Sequence, residues 1–209
     1  MAGKIQVGFL VSYDYELLKI AIPTVYEQAD AIFLAIDVHR KTWKGEDIQI
    51  ESSFFDWIKK IDIQHKIQWY EDVFYVAGLS TMECEVRERK MLSEQMGIGN
   101  WLIQIDADEY FIDFKGFVAQ LRKYDSYLNP EKDKKVQIGV FQMNLYKYTE
   151  TGILYVDKPM KAIFASNSNE YTVGRRIKGR TIYTDSIVLH ESLSRSEADL
   201  RFKLKNWGH

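Results

Sequence analysis

The 209 residues suffice for one domain with a substantial hydrophobic core. A net charge of −2 argues against a non-specific nucleic-acid binder, and the single cysteine, Cys84, excludes an intrachain disulfide and favours a cytoplasmic location. No apolar run approaches the roughly 20 residues of a membrane span, so we expect no transmembrane segment, while peripheral contact with the inner face of a membrane stays open.

The first 125 residues alternate apolar runs with segments of helical spacing. The runs predict strands at 5–11, 31–36, 66–70 and 101–105, and the spacing predicts helices at 15–29, 53–61, 81–96 and 114–124. Pro23 should kink or divide the first helix, and Ser52 or Ser53 should cap the second. This alternation predicts a three-layer α/β fold with a mainly parallel sheet.

The pattern changes after a polar break at 129–135. Strand-like segments follow at 136–146, 153–156, 161–165, 171–177 and 180–189, before a last helix at 196–205. We expect antiparallel additions in this C-terminal third to extend or cover the sheet. No linker separates two domains, so 1–209 is predicted to be a single domain, and its abrupt end suggests a trimmed longer protein.

Asp106 and Asp108 follow the strand at 101–105 at positions i and i+2. In an extended chain both carboxylates would point to one side of the edge where parallel sheets bind ligands. A hard divalent cation such as Mg²⁺ or Mn²⁺ would relieve their repulsion and complete its shell with substrate phosphates. The pair therefore predicts a metal–diphosphate site, and replacing one carboxylate should leave stability unchanged or higher. The alternative is a solvated turn in which Asp108 or Asp113 caps the next helix.

Residues 100–111, Asn-Trp-Leu-Ile-Gln-Ile-Asp-Ala-Asp-Glu-Tyr-Phe, resemble the DXD segment of GT-A glycosyltransferases of the family-2-like group. The resemblance covers about residues 5–115 well and the rest of the chain loosely. It implies a GT-A-like domain in which 1–115 bind a UDP- or GDP-linked sugar donor and 130–209 form the acceptor side. The activity implied is a hexosyltransferase-like transfer to a saccharide or lipid-linked saccharide in surface-polysaccharide assembly, with Mn²⁺ or Mg²⁺ as cofactor and inversion favoured.

The resemblance also implies roles for residues at the first two strand ends. Ser12 and Tyr13 would cradle the base, and Asp37 would contact the base or ribose. The alternatives are an ordinary turn for the first two and a turn-capping role for Asp37. In the helix at 81–96, Arg89 would approach the diphosphate, although an i,i+4 pair with Glu85 explains it equally simply. Asp106 would contact the nucleotide as well as the metal.

A late histidine is implied as the third metal ligand beside Asp106 and Asp108. His190 follows an apolar strand, and His209 is the alternative. An inverting transferase also needs a carboxylate base. Glu191 is preferred because it adjoins His190, over three other candidates by position: Glu170, Asp185 and Asp199.

Two more charged features have structural interpretations. Glu109 should face away from the aspartate pair, in a structural or an acceptor-side role, and the cations at 175–180 favour a solvated hairpin tip over a site for phosphate or an anionic acceptor. Two rival functions stay open beside the transferase. One is an inactive nucleotide-binding module of the same fold, and the other is a metal-dependent phosphohydrolase or nucleotidyltransferase.

Overall fold

The computed structural model describes residues 3–129 and 134–206. The strands are β1 (Ile5–Val11), β2 (Ala31–Asp37), β3 (Ile67–Asp72), β4 (Trp101–Asp106), β5 (Glu109–Phe111), β6 (Val136–Thr149), β7 (Gly152–Tyr155), β8 (Met160–Ser166), β9 (Tyr171–Val173), β10 (Arg176–Ile177) and β11 (Arg180–His190). The helices are α1 (Leu18–Val25), α2 (Ser52–Ile61), α3 (Thr81–Met96), α4 (Phe114–Arg122) and α5 (Glu197–Asn206).

One large mixed sheet runs through the described residues in the order β3-β2-β1-β4-β8-β6-β11-β5, with β7 paired to β6. The first four strands in that order are parallel. Strand β8 joins antiparallel to β4 and β6, β11 lies parallel to β6, and β5 closes the edge antiparallel to β11. The predicted α/β class with C-terminal antiparallel additions is therefore confirmed.

Helices cover both faces of the sheet, which gives the predicted three layers. Apolar residues of α1, α2 and α4 pack on one face, and Leu92 and Met96 of α3 pack on the other. Strands β1, β2 and β4 are buried on both faces, which explains why they are almost continuous apolar runs, whereas the edge strand β3 is partly exposed. Close packing of α3 depends on Gly8, because a Cβ there would lie 2.8 Å from both Leu92 Cδ2 and Met96 Sδ.

Several local predictions need correction. The first helix is shorter than predicted: a 3₁₀ turn at Tyr15–Leu17 precedes α1, which ends two residues after Pro23. Helix α2 is capped by neither Ser52 nor Ser53, since Glu51 holds the N-cap position without a side-chain hydrogen bond. The predicted strand at 171–177 is split into β9 and β10. Part of the polar break at 129–135 lies outside the described residues.

Other element ends follow directly from local chemistry. Helix α3 begins with a reciprocal capping box between Ser80 and Glu83 and ends at Gly97, whose φ of 94° suits glycine. Asp113 caps α4 by accepting a hydrogen bond from the Gly116 N–H. None of the helices in the described part of the chain combines the length and apolarity that crossing a membrane would take.

Candidate active site

A cavity of about 670 Å³ opens where β1, β2 and β4 end. Helix α3, the β9–β10 hairpin and α5 supply much of the remaining wall. The carboxyl edge of parallel strands is the expected ligand crevice of such a sheet. Seven of the eight predicted site residues line the cavity: Ser12, Tyr13, Asp37, Arg89, Asp106, Asp108 and His190.

Asp106 lies at the end of β4 and is held by Arg89 of α3. The Arg89 guanidinium donates to Asp106 Oδ1 at 2.8 Å and to Glu85 at 2.9 Å, and its side chain is only 2% exposed. Burial raises the pKa of the Asp106 carboxyl, but the charges of Arg89 and Arg175 outweigh it, so the pKa falls below its usual value. Arg89 therefore lies beside Asp106 and also forms the predicted i,i+4 pair, while its approach to a diphosphate stays a prediction.

Glu109 and Arg175 form a second buried ion pair next to Asp106. The guanidinium of Arg175 reaches both carboxylate oxygens of Glu109, at 2.5 and 2.6 Å, and lies 4.3 Å from the ring centroid of Phe164. Glu109 Oε2 also accepts the backbone N–H of Asp106 at 2.8 Å. The expectation that Glu109 faces away from the aspartate pair is therefore wrong, because Glu109 lines the same cavity, where its contacts with Arg175 and the Asp106 backbone give it a structural role. The predicted solvated hairpin tip is wrong for Arg175, because the β9–β10 hairpin folds inward over the cavity.

Asp108 belongs to a different group of charges. The chain turns at 107–108 instead of staying extended, and the Asp108 carboxylate meets cations from the end of the chain. Its Oδ2 accepts from Lys203 Nζ at 2.5 Å and from Arg195 at 2.5 Å. Arg195 also donates to Asp14 at 3.1 Å. Asp108 therefore compensates two buried cations, and its electrostatic environment is not dominated by repulsion from Asp106.

These charges shift the pKa values of Asp108 and Asp14, the two carboxyls that flank Arg195, in opposite directions. Burial raises the pKa of Asp108, but the hydrogen bond and charge of His190, followed by the charges of Lys203 and Arg195, hold it well below the usual value. Burial and then the negative charge of Asp108 raise the pKa of Asp14. Both groups face the same cavity.

His190, at the end of β11, reaches Asp108 as predicted. Its Nε2 lies 3.4 Å from Asp108 Oδ2, and its Nδ1 lies 2.9 Å from Asn144 Oδ1. The register of β5 on β11, which pairs Glu109 with His190, brings the histidine to this position. His209 lies outside the described residues.

As they lie here, these side chains do not fit a divalent cation. Within residues 3–129 and 134–206, no three His, Cys, Asp or Glu side chains form a group that could hold one. Asp108 Oδ2 is already shared by Lys203 and Arg195, and Asp106 Oδ1 is bonded to Arg89. The metal site formed by Asp106, Asp108 and His190 therefore stays a prediction.

Asp37, at the end of β2, shapes the loops around the cavity. Its Oδ1 accepts the backbone N–H groups of His39 and Lys41, and its Oδ2 accepts those of Phe74 and Tyr75. These bonds tie the loop after β2 to the loop after β3. Asp37 thus has the predicted turn-capping role, and its contact with a nucleotide stays a prediction.

Aromatic side chains line the cavity near Asp37 and near α5. Trp43 donates its indole N–H to Glu88 of α3 at 2.5 Å, and burial raises the pKa of Glu88 to about 8. Tyr13 packs edge-on against Phe202 of α5, with ring centroids 5.1 Å apart. Ser12 accepts the backbone N–H of Tyr15, as in an ordinary turn. Flat rings beside polar groups suit a nucleoside or a sugar.

Glu191 is the predicted site residue that the structure does not bring to the cavity. Its Oε2 accepts the Tyr110 hydroxyl at 2.6 Å, and the residue is buried outside the described cavity lining. The same hydrogen bond, after burial, raises the pKa of Tyr110. The Glu191 backbone contributes to the site, since its N–H donates to the carbonyl of Asp108 at 2.8 Å.

Asp14, Arg195 and Lys203 are site residues that sequence reasoning missed. Asp14 follows the Ser12–Tyr13 pair directly, so its position past the first strand was an available signal. The other two belong to the final segment, and no spacing relates them to Asp108. Comparison with known protein families finds none that matches this chain, and comparison with curated proteins finds no relative.

Proposed function

We propose that the chain is a glycosyltransferase that moves a sugar from a UDP- or GDP-linked donor to an acceptor hydroxyl of a saccharide or lipid-linked saccharide. The observation that supports this most is the convergence of seven of the eight residues marked by the resemblance on one cavity at the carboxyl edge of the sheet. A volume of about 670 Å³ falls within the usual range for small-molecule sites.

The transfer breaks the bond between the sugar's anomeric carbon and the diphosphate oxygen while the acceptor oxygen bonds to that carbon. Negative charge develops on the leaving diphosphate, so catalysis needs fixed positive charge beside it. Four cations surround the aspartates at this edge: Arg89, Arg175, Arg195 and Lys203. Their carboxylate partners hold them in place before the donor arrives.

The acceptor proton must pass to a base that reaches the cavity. Glu191, the base expected from the sequence, is bonded to Tyr110 outside the described lining, whereas Asp14 lines the cavity. A raised pKa, caused first by burial and then by Asp108, suits Asp14 to accepting a proton. Asp14→Asn and Glu191→Gln therefore distinguish the two candidates, since the variant lacking the true base should lose turnover and retain donor binding.

Calorimetric titration with UDP and GDP, followed by a turnover assay with UDP- and GDP-sugars, tests the proposal. We expect binding of one nucleoside diphosphate and its release during turnover with an acceptor saccharide. Binding without turnover would favour the inactive module, and release of inorganic phosphate would favour the phosphohydrolase. Failure to bind either nucleotide, with Mn²⁺ or without it, would overturn the proposal.

The role of Asp37 has its own test. Asp37→Ala should weaken nucleoside diphosphate binding by about 1–3 kcal/mol, the usual cost of removing a charged hydrogen-bonding group. The loss should be the same with and without Mn²⁺, because Asp37 belongs to the loops after β2 and β3. A loss that appears only with the metal present would contradict this assignment.

A further inference from the structure

We propose that Lys203, positioned by Asp108, is the cationic group that binds the donor diphosphate, so that nucleoside diphosphate binding needs no divalent cation. This inference rests on the proposed function and adds the group that meets the phosphates. The inference places the ammonium group of Lys203, on α5, beside Asp108, where the sequence predicts a metal.

The contacts of one oxygen atom carry the argument. Asp108 Oδ2 lies 2.5 Å from Lys203 Nζ and 2.5 Å from an Arg195 nitrogen, and 3.4 Å from His190 Nε2. The Asp108 side chain is only 4% exposed. A cation placed on this oxygen would have to displace at least one of these groups and would lie beside the remaining positive charge.

The formal charges around Asp108 support the same conclusion. The carboxylates of Asp14 and Asp108 balance the ammonium of Lys203 and the guanidinium of Arg195. A divalent ion added to this set would be repelled by two fixed cations at short range. A diphosphate brings negative charge towards the same cations, and Lys is a common phosphate ligand that acts as a compact charge.

Lys203 is better placed than Arg195 for the ligand. Lys203 lines the cavity together with Asp106 and Asp108, whereas Arg195 lies behind, between Asp108 and Asp14. Arg195 thus holds the carboxylates, and Lys203 faces the ligand space. Asp108 is in this view a positioning residue, since it acts on the diphosphate through Lys203.

Helix α5 holds Lys203 in place through contacts on both sides. Asn206 Oδ1 accepts a hydrogen bond from the buried Thr42 hydroxyl at 2.8 Å, and Lys205 pairs with Glu46 at 2.7 Å. Phe202 packs against Tyr13. Residues past both β1 and β2 thus anchor the helix, so Lys203 is fixed in position before a ligand arrives, as transition-state stabilisation by a fixed charge requires.

The test is calorimetric titration of the full chain with UDP and GDP, in EDTA and in Mn²⁺. For the nucleotide that binds, we expect the two dissociation constants of the wild type to agree within about threefold. Lys203→Met should weaken binding in EDTA by about 30-fold or more, which is about 2 kcal/mol. Lys203→Arg should recover part of the loss. Arg201→Met, on the same helix with an exposed side chain that pairs with Glu197 of α5, is the matched control and should bind like the wild type.

Asp108→Asn separates the two roles of the carboxylate. If Asp108 positions Lys203, this variant weakens binding in EDTA as well as in Mn²⁺, whereas loss of a metal ligand would matter only with Mn²⁺ present. Wild-type binding that requires Mn²⁺, or unchanged binding by Lys203→Met in EDTA, would overturn the inference while leaving the transferase proposal intact. Absence of nucleotide binding under both conditions would overturn both. If Lys203→Met does not fold, Lys203→Gln, which keeps a polar side chain without the charge, replaces it in the EDTA titration, and binding equal to that of the wild type would again overturn the inference.

Discussion

Asp106 and Asp108 are two residues apart, yet they belong to networks of different origin. Asp106 is held by Arg89 and lies near Arg175, and its side chain is 35% exposed. Asp108 is almost fully buried and is held by Arg195 and Lys203 from the end of the chain. The turn at 107–108 separates the two carboxylates, because it directs one towards α3 and the other towards α5.

This difference shows how the site distributes its charge. The Asp106 network uses partners that support each other without it, since Arg89 also pairs with Glu85 and Arg175 pairs with Glu109. In the Asp108 network, Lys203 and Arg195 share one oxygen of a carboxylate that is only 4% exposed, and Arg195 has a second carboxylate partner in Asp14. Removing Asp108 should therefore cost more stability than removing Asp106, and it should loosen α5 as well.

The largest expected effect is that of Asp108→Asn on stability. Breaking a buried ion pair by removing one partner costs about 3–5 kcal/mol, and in this variant Lys203 and Arg195 lose the carboxylate that they share. We expect a loss of that size in the free energy of unfolding, measured by urea denaturation. This reverses the expectation from the bare Asp-x-Asp pair, because the structure places cations against Asp108.

Asp56→Asn is the control for Asp108→Asn. Asp56 pairs with Lys59 on α2, and both side chains are largely exposed. Exposed pairs contribute about 0–1 kcal/mol, so stability should change little. If Asp108→Asn proves as mild as this control, the electrostatic contrast between the two networks is wrong.

The α3 side of the cavity is expected to respond to pH through Glu88. Its pKa is raised by burial from 4.5 to about 8, so the folded state retains a proton that the unfolded state releases. This contribution to stability is complete below about pH 4.5 and is lost as the pH rises through about 8. At about 1.4 kcal/mol per pKa unit, we expect the free energy of unfolding to fall by about 4 kcal/mol between pH 5 and pH 9.

Glu88→Gln isolates this effect, because glutamine keeps the size of the side chain and an acceptor for the Trp43 indole N–H. The variant should be more stable than the wild type at pH 9 and should lose most of the pH dependence in urea denaturation. Equal slopes of stability against pH for the two proteins would show that Glu88 is ionised in the folded state.

Asp106→Asn should have a smaller effect than Asp108→Asn. Its main loss is the charged hydrogen bond from Arg89, worth about 1.5–3 kcal/mol, and Arg89 keeps its contacts with Glu85 and Gln104. Urea denaturation of the two asparagine variants side by side gives the comparison directly. A loss larger than that of Asp108→Asn would reverse the proposed ranking of the networks.

The two networks also differ in how far the sequence predicts them. The parallel strands, α3 and its Glu85–Arg89 pair were predictable, because apolar runs and i,i+4 spacing are local signals. The expectation that Arg89 approaches this part of the site came from the family resemblance. Lys203 and Arg195 gave no such signal, since their contacts with Asp108 depend on how β11 and β5 pair and where α5 docks. The prediction of a solvated hairpin tip was wrong for Arg175, because composition alone does not show that a hairpin folds inward.

The smallest expected effect on stability tests how α5 is held against the loop that follows β2. Thr42→Val replaces the hydroxyl that bonds Asn206 by a methyl group of similar size, at a site where both residues are buried. Loss of this hydrogen bond should cost about 0.5–1.5 kcal/mol, with some added cost because the hydroxyl also accepts the backbone N–H groups of Lys44 and Glu46 at 3.3 and 3.2 Å. Thr149→Val, at the exposed end of β6, removes a hydroxyl bonded to the Gly152 carbonyl and should change stability less.

The same two variants also test nucleotide binding. If Thr42→Val weakens nucleoside diphosphate binding in EDTA while Thr149→Val does not, the docking of α5 contributes to the position of Lys203. Equal binding by the two variants would show that the hydrogen bond between Thr42 and Asn206 does not contribute to the position of Lys203.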